Sequence, residues 1–150
     1  MHRLIRVAVA TAALSIPASV ALVGVPAVAG AAGSSVSCAS VKGTITGSVT
    51  IGKCTPKNKA DKSASGAAAS LTSGGTITWS PSGQTTMTSL TVSSPGQGPC
   101  KKNTSEYIAT GSVTGGTSTY THSGDAVSVK VCVSSKTGKI SIAPGTTAAL

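Results

Sequence analysis

Apolar and polar residues alternate with a period of two along most of the chain from Thr44 onward, the spacing that sends successive side chains to opposite faces of a strand. In TITGSVTI, Ile45, Val49 and Ile51 share one face with Gly47 between them, while Thr44, Thr46, Ser48 and Thr50 take the other. This stretch reads as one strand running straight through Val41 to Ile51. The alternation recurs in GTITWS (Ile77, Trp79), TSLTVS (Leu90, Val92), EYIATGSV (Tyr107, Ala109, Val113), AVSVKVCV (Val127, Val129, Val131, Val133) and KISIA (Ile140, Ile142). Turn chemistry separates the runs: Pro81-Ser82-Gly83 and Lys136-Thr137-Gly138 read as hairpins, and Gly115-Gly116 and Ser123-Gly124-Asp125 bracket a loop. Helical spacing is confined to Ala67–Leu71, where low-complexity Ser, Gly and Ala read better as a loop. The pattern predicts an all-β fold of about six to eight short antiparallel strands, a β-sandwich or a small β-barrel.

The N-terminal segment has a different pattern and is set aside from the fold. Arg3 and Arg6 precede an apolar run that ends in Ala27-Val28-Ala29, the layout of an export signal with a small-residue cleavage site. A membrane helix is the competing reading, against which Pro17 and Pro26 stand. We expect residues 1–32 to be a cleaved signal peptide and 33–150 to form a single domain, secreted or associated with the cell envelope. A lipoprotein anchor at Cys38 is a further alternative, although Ser35-Val36-Ser37 differs from the usual Leu-Ala-Gly type of run.

All four cysteines, Cys38, Cys54, Cys100 and Cys132, fall in the exported part, so two disulfides are expected. Along an unbroken strand, Cys38 and Cys54 would stand roughly 40 to 50 Å apart at ~3.3 Å per residue, far beyond the reach of a bridge. Cys132 falls opposite the valine face of its strand and needs a partner crossing the outer surface, which suits Cys38. Among the three possible pairings, this favours Cys54 with Cys100 and Cys38 with Cys132.

Charge narrows the partners. Of the net +9, Arg3 and Arg6 contribute two, leaving +7 from ten lysines against Asp61, Glu106 and Asp125. A basic exported protein is drawn to anionic cell-wall polymers or an anionic lipid surface. Without arginine beyond the signal, bidentate reading of guanine or phosphate is missing, which excludes sequence-specific nucleic-acid recognition. The lysines concentrate at Lys53, Lys57, Lys59 and Lys62, with Lys101 and Lys102 as a second group, and these six are the candidate polyanion-binding residues.

Catalytic chemistry is sparse. His122-Ser123-Gly124-Asp125 brings a base near an acid, but a Gly-rich turn provides no activated nucleophile. Three acids are too few for a carboxylate metal cage, and no Cys-x-x-Cys occurs, so neither a metal nor another cofactor is expected. Trp79 shares a face with Ile77 and reads as core; turned outward, it would be a sugar-stacking platform.

The Ala-rich signal, Cys38 soon after it, GTITGSVTI running into Cys54, GTITWSPSGQTT, Cys100 in a polar loop, VSVKVCV and the closing ISIAPGT together carry a resemblance. The exported part resembles small, four-cysteine, β-rich secreted proteins of actinobacteria, a likeness that implies no activity. It is also similar in size and composition to secreted enediyne-carrier proteins, whose cysteines close short loops, whereas Cys54 and Cys100 here are far apart. The expected function is a non-catalytic secreted module that associates with a cell surface, wall or polyanion. The alternatives are a small-molecule carrier and, least favoured, a hydrolase around His122.

Overall fold

The strand expected to run unbroken from Val41 to Ile51 is two strands. In the computed structural model, which describes residues 36–55, 63–80 and 82–150, β1 (Ser37–Thr44) turns back into β2 (Ser48–Thr55). The turn closes where the Gly47 N–H donates to the Thr44 carbonyl at 3.2 Å. Strand periodicity cannot distinguish a turn from a strand when the turn itself is built of Thr and Gly at alternating positions. Ile45, expected beside Val49 in the core, sits on that turn with 53% of its surface exposed. The expected signal peptide, residues 1–32, lies outside the described residues.

The hairpin also corrects the disulfides. Antiparallel pairing sets Cys38 directly opposite Cys54, and these two bond; Cys100 bonds Cys132. The favoured pairing of Cys54 with Cys100 and Cys38 with Cys132 is therefore overturned, because its starting point was a straight chain. The inference that Cys132 lies on the outer face of its strand, opposite the valines, agrees with the structure: Val129, Val131 and Val133 line an inner cleft while Cys132 does not.

The remaining described elements are β3 (Ser63–Ala67), α1 (Ala68–Thr72), β4 (Thr76–Ser80), β5 (Gln84–Met87), β6 (Thr91–Gly96), β7 (Thr104–Gly116), β8 (Ala126–Ser134), β9 (Lys139–Ile142) and β10 (Ala148–Ala149). All pairings are antiparallel. Strands β1, β2, β3, β4, β5, β7, β8 and β9 close into an eight-stranded barrel, through β7 with β8 and β9 with β1. Closure decides between the two expected architectures in favour of the barrel, and within the ring it leaves no open strand edge.

Two short strands complete the wall. β10 pairs with both β1 and β8 below the stretch where β9 joins them, and β6 lies along the first half of β7 while β5 holds its second half. The β5–β7 contact is close: a Cβ on Gly116 (φ 134°) would come within 2.0 Å of the Gln84 carbonyl oxygen, so only glycine fits. β6 is exposed throughout, and its far edge carries Pro95, which cannot donate to another strand.

The interior is apolar and graded along the barrel axis. One end is closed by Trp79, Ile77, Val113 and the Cys38–Cys54 bridge, and by the loop joining β7 to β8. There the Trp79 indole N–H donates to Thr85 Oγ1 at 2.8 Å, and Thr85 in turn shares a hydrogen bond with Thr121 of that loop. Among the described residues no buried side-chain polar atom lacks a partner. Trp79, 2% exposed, is thus a core residue, which overturns its alternative reading as a sugar-stacking platform.

Candidate functional site: an apolar cleft at the open end of the barrel

The opposite end of the barrel is not filled. Here the β1–β2 turn, the β8–β9 turn and the start of β7 meet: Ile45 N–H donates to Gly138 O at 3.0 Å, and Ser135 N–H to Asn103 O at 3.2 Å. Between this rim and the core lies a cleft of about 410 Å³ lined almost wholly by apolar side chains. Val129, Val131 and Val133 of β8 form its floor, with Tyr107 and Ala109 of β7 beside them. Val41, Val49 and Ile140 supply the facing wall, and α1 and Val92 form its two lips.

The lips follow from local sequence. Ala67 pairs with Ser48, and the Ala68 N–H then donates to Gly47 O at 2.9 Å, which ends β3 at the rim and starts a helical turn of small residues across it. Ala68 is buried against the wall, Leu71 is half-buried, and Ala69 is exposed at the opening. On the other side β6 has no strand beyond it among the described residues, so Val92 stays 45% exposed instead of joining the closed core as its alternation predicts. Beneath the cleft lies a separate void of about 60 Å³ that shares Val41, Val49, Leu71 and Val129 with it and is lined further in by Met87 and Leu150.

The helical spacing at Ala67–Leu71 marks α1, which the loop reading of that stretch missed, whereas period alone does not find the half-burial of Val129, Val131 and Val133.

The charged residues are arranged with one sign outward. Among the described residues all seven lysines (Lys42, Lys53, Lys101, Lys102, Lys130, Lys136 and Lys139) are exposed, whereas Glu106 and Asp125 are each 6% exposed. Of the six lysines expected to bind polyanions, Lys57, Lys59 and Lys62 lie outside the described residues. Lys53 sits far down β2, away from the rim, at φ 56°, next to Cys54. Lys101 and Lys102 sit instead by the open rim, before β7. With Cys54 bonded to Cys38, no bridge draws the Lys53 group to the Lys101–Lys102 group. Lys42 and Lys139, outside the expected set, flank a broad groove on the outer face of β1 and β9, whose lining also includes Thr44, Ser48, Ser134 and Ser141.

His122 lies at the closed end, away from the cleft. Asp125 Oδ2 accepts the His122 backbone N–H at 2.7 Å and stands 3.7 Å from His122 Nδ1, while the histidine side chain is 71% exposed. The acid tightens the plugging loop through its backbone. No group of three or more metal-ligating side chains occurs among the described residues.

Fold and cleft together define a class, a disulfide-stapled antiparallel β-barrel closed at one end and open to an apolar cleft at the other. Comparison with protein-family models, with curated proteins and with solved structures returned no match. Two disulfides point to an oxidising environment, and no helix among the described residues is long and apolar enough to cross a membrane.

Proposed function

We propose that the protein is a secreted, non-catalytic binding module that takes a lipophilic small molecule into the open end of its barrel. The cleft carries this reading. Apolar surface exposed to water at the mouth of a barrel is costly to keep, and such mouths are where small β-barrels receive ligands. His122 lies at the other end and contributes nothing to the cleft.

The test is uptake of Nile red, an uncharged lipophilic dye, by the oxidised protein. Enhanced and blue-shifted emission is expected, abolished in Ala69→Trp, whose indole would fill the opening from an exposed helical position and leave the core intact. Absence of uptake by the wild-type chain, or undiminished uptake by Ala69→Trp, would overturn the reading.

The second reading is association with anionic wall polymers or an anionic lipid surface. What supports it is the segregation of charge, with every described lysine outward and both described acids buried. Retention on a phosphate polymer matrix that vanishes at high salt, and falls on replacing Lys101 and Lys102 by Gln, is the expected result.

A further inference from the structure

The wall of β1 and β9 has a different chemistry on each side at the same height. Val41 and Ile140 face the cleft, and their chain neighbours Lys42 and Lys139 face the outer groove. Strand pairing sets Lys42 against Ser141 and Thr44 against Lys139, so the two ammonium groups project from adjacent strands on one surface. Ile140 borders both concavities, and the turn at Ile45 that ends this wall is the rim between them. Thr44, Ser48, Ser134 and Ser141 line the same groove as the lysines, and no acid is among the described residues of the groove.

We infer that the ligand is a single-chain amphiphile with an anionic head, its chain in the cleft and its head over the rim against Lys42 and Lys139. This deepens the binding reading above and rests on it. The chain accounts for an apolar lining with a further apolar void beneath it. A carboxylate or phosphate head accounts for paired cations with hydroxyl donors and no competing acid. A neutral lipophile would leave the lysines without a role, and a free anion would leave the cleft without one.

The experiment titrates the oxidised protein calorimetrically with palmitate and with hexadecanol at low ionic strength, and with acetate as a headgroup lacking the chain. Palmitate is expected to bind roughly threefold to tenfold tighter than hexadecanol, the range that two exposed charge pairs supply. That preference is expected to shrink with added salt and to disappear in Lys42→Gln/Lys139→Gln, with hexadecanol binding unchanged. Acetate alone is expected not to bind measurably.

A control with the same change in charge, Lys53→Gln/Lys130→Gln, places the loss away from the rim and is expected to keep the preference. Equal binding of palmitate and hexadecanol would overturn the headgroup inference and leave the cleft reading standing. The headgroup inference also falls if the control pair removes the preference as fully as the rim pair, since net charge alone would then suffice. No binding of either lipid, together with no Nile red uptake, would overturn the cleft reading itself. A concentration-dependent dimer that binds neither lipid would show that a second copy covers the cleft, and would overturn both.

Discussion

The polar contact that closes one end of the barrel turns on a single hydroxyl. Thr85, fully buried, accepts from the Trp79 indole and bonds Thr121, so removing it strands two partners away from water. Thr85→Val keeps shape and volume, yet it is expected to destabilise the fold by about 2 to 4 kcal/mol, since each orphaned buried group costs ~1 to 3 kcal/mol. Trp79→Phe frees the same hydroxyl, and the double variant is expected to lose less than the two single losses added together, a non-additivity that a urea-unfolding double-mutant cycle reads directly. A second residue-scale test concerns Gly98. A Cβ there would come within 2.0 Å of a Glu106 carboxylate oxygen, and φ 50° disfavours any side chain, so Gly98→Val is expected to lower the denaturation midpoint while leaving cleft binding intact. The core role of Trp79 was readable from its spacing to Ile77. Its dependence on Thr121 was not, because the contact that joins Thr85 to Thr121 spans 36 residues and leaves no local trace.

Strand pairing decides the cross-links. A non-reducing digest is expected to release Cys38 joined to Cys54 and Cys100 joined to Cys132; any peptide joining Cys54 to Cys100 would refute the topology. Loop entropy for separations of 16 and 32 residues predicts stabilisation of about 3 and about 4 kcal/mol, so alanine replacement of the Cys100–Cys132 pair should cost slightly more in urea titrations. Strand existence was largely legible: β4, β7, β8 and β9 fall where period-two alternation places them, and the Lys136-Thr137-Gly138 turn joins β8 to β9 as expected. What failed was the Thr44–Ser48 turn. The Thr-Gly-Ser-Val run that leaves it at Thr46–Val49 recurs unchanged at Thr110–Val113 in the middle of β7, so identical local chemistry serves a bend in one place and a straight strand in the other. Tertiary pairing chose between them, as it commonly does where strand propensity is weak. The disulfide error descends from that one turn. α1 falls within one residue of the Ala67–Leu71 stretch whose helical spacing is visible in the sequence, and the loop reading preferred there is overturned: five residues of Ala, Ser, Leu and Thr have no capping signal, but Gly47 accepts the first N–H of the helix.

At the scale of the whole molecule, charged and apolar surfaces are separated in space. Among the described residues the acids are buried and the lysines exposed, a distribution that makes any association with anionic material sensitive to salt on the scale of a Debye length, about 10 Å at 0.1 M. Association with vesicles of anionic phospholipid is therefore expected to fall off between low and physiological ionic strength, whereas uptake of Nile red into the cleft should not change. A common salt dependence of the two would mean that one surface does both. The overall class was legible because an eight-stranded barrel needs only alternating strands and short turns. The cleft was not, because it arises from what the described residues lack: a further neighbour for β6 and enough bulk in α1 to cover the β8 valines.

The order in which the ring closes has its own consequence. β1 is the first described strand and β10 the last, and they meet: the Val36 N–H donates to Leu150 O at 2.8 Å, and the Leu150 N–H returns the bond to Val36 O. A chain emerging from the ribosome in sequence can assemble hairpins one by one, but the ring closes only when β9 pairs with β1, after which β10 adds its bonds to β1 and β8. Until then it is an open, partly paired sheet without the Ile140 side of its cleft wall. Closure of the ring and completion of the cleft wall are thereby the same event, written into the chain by which two strands are neighbours.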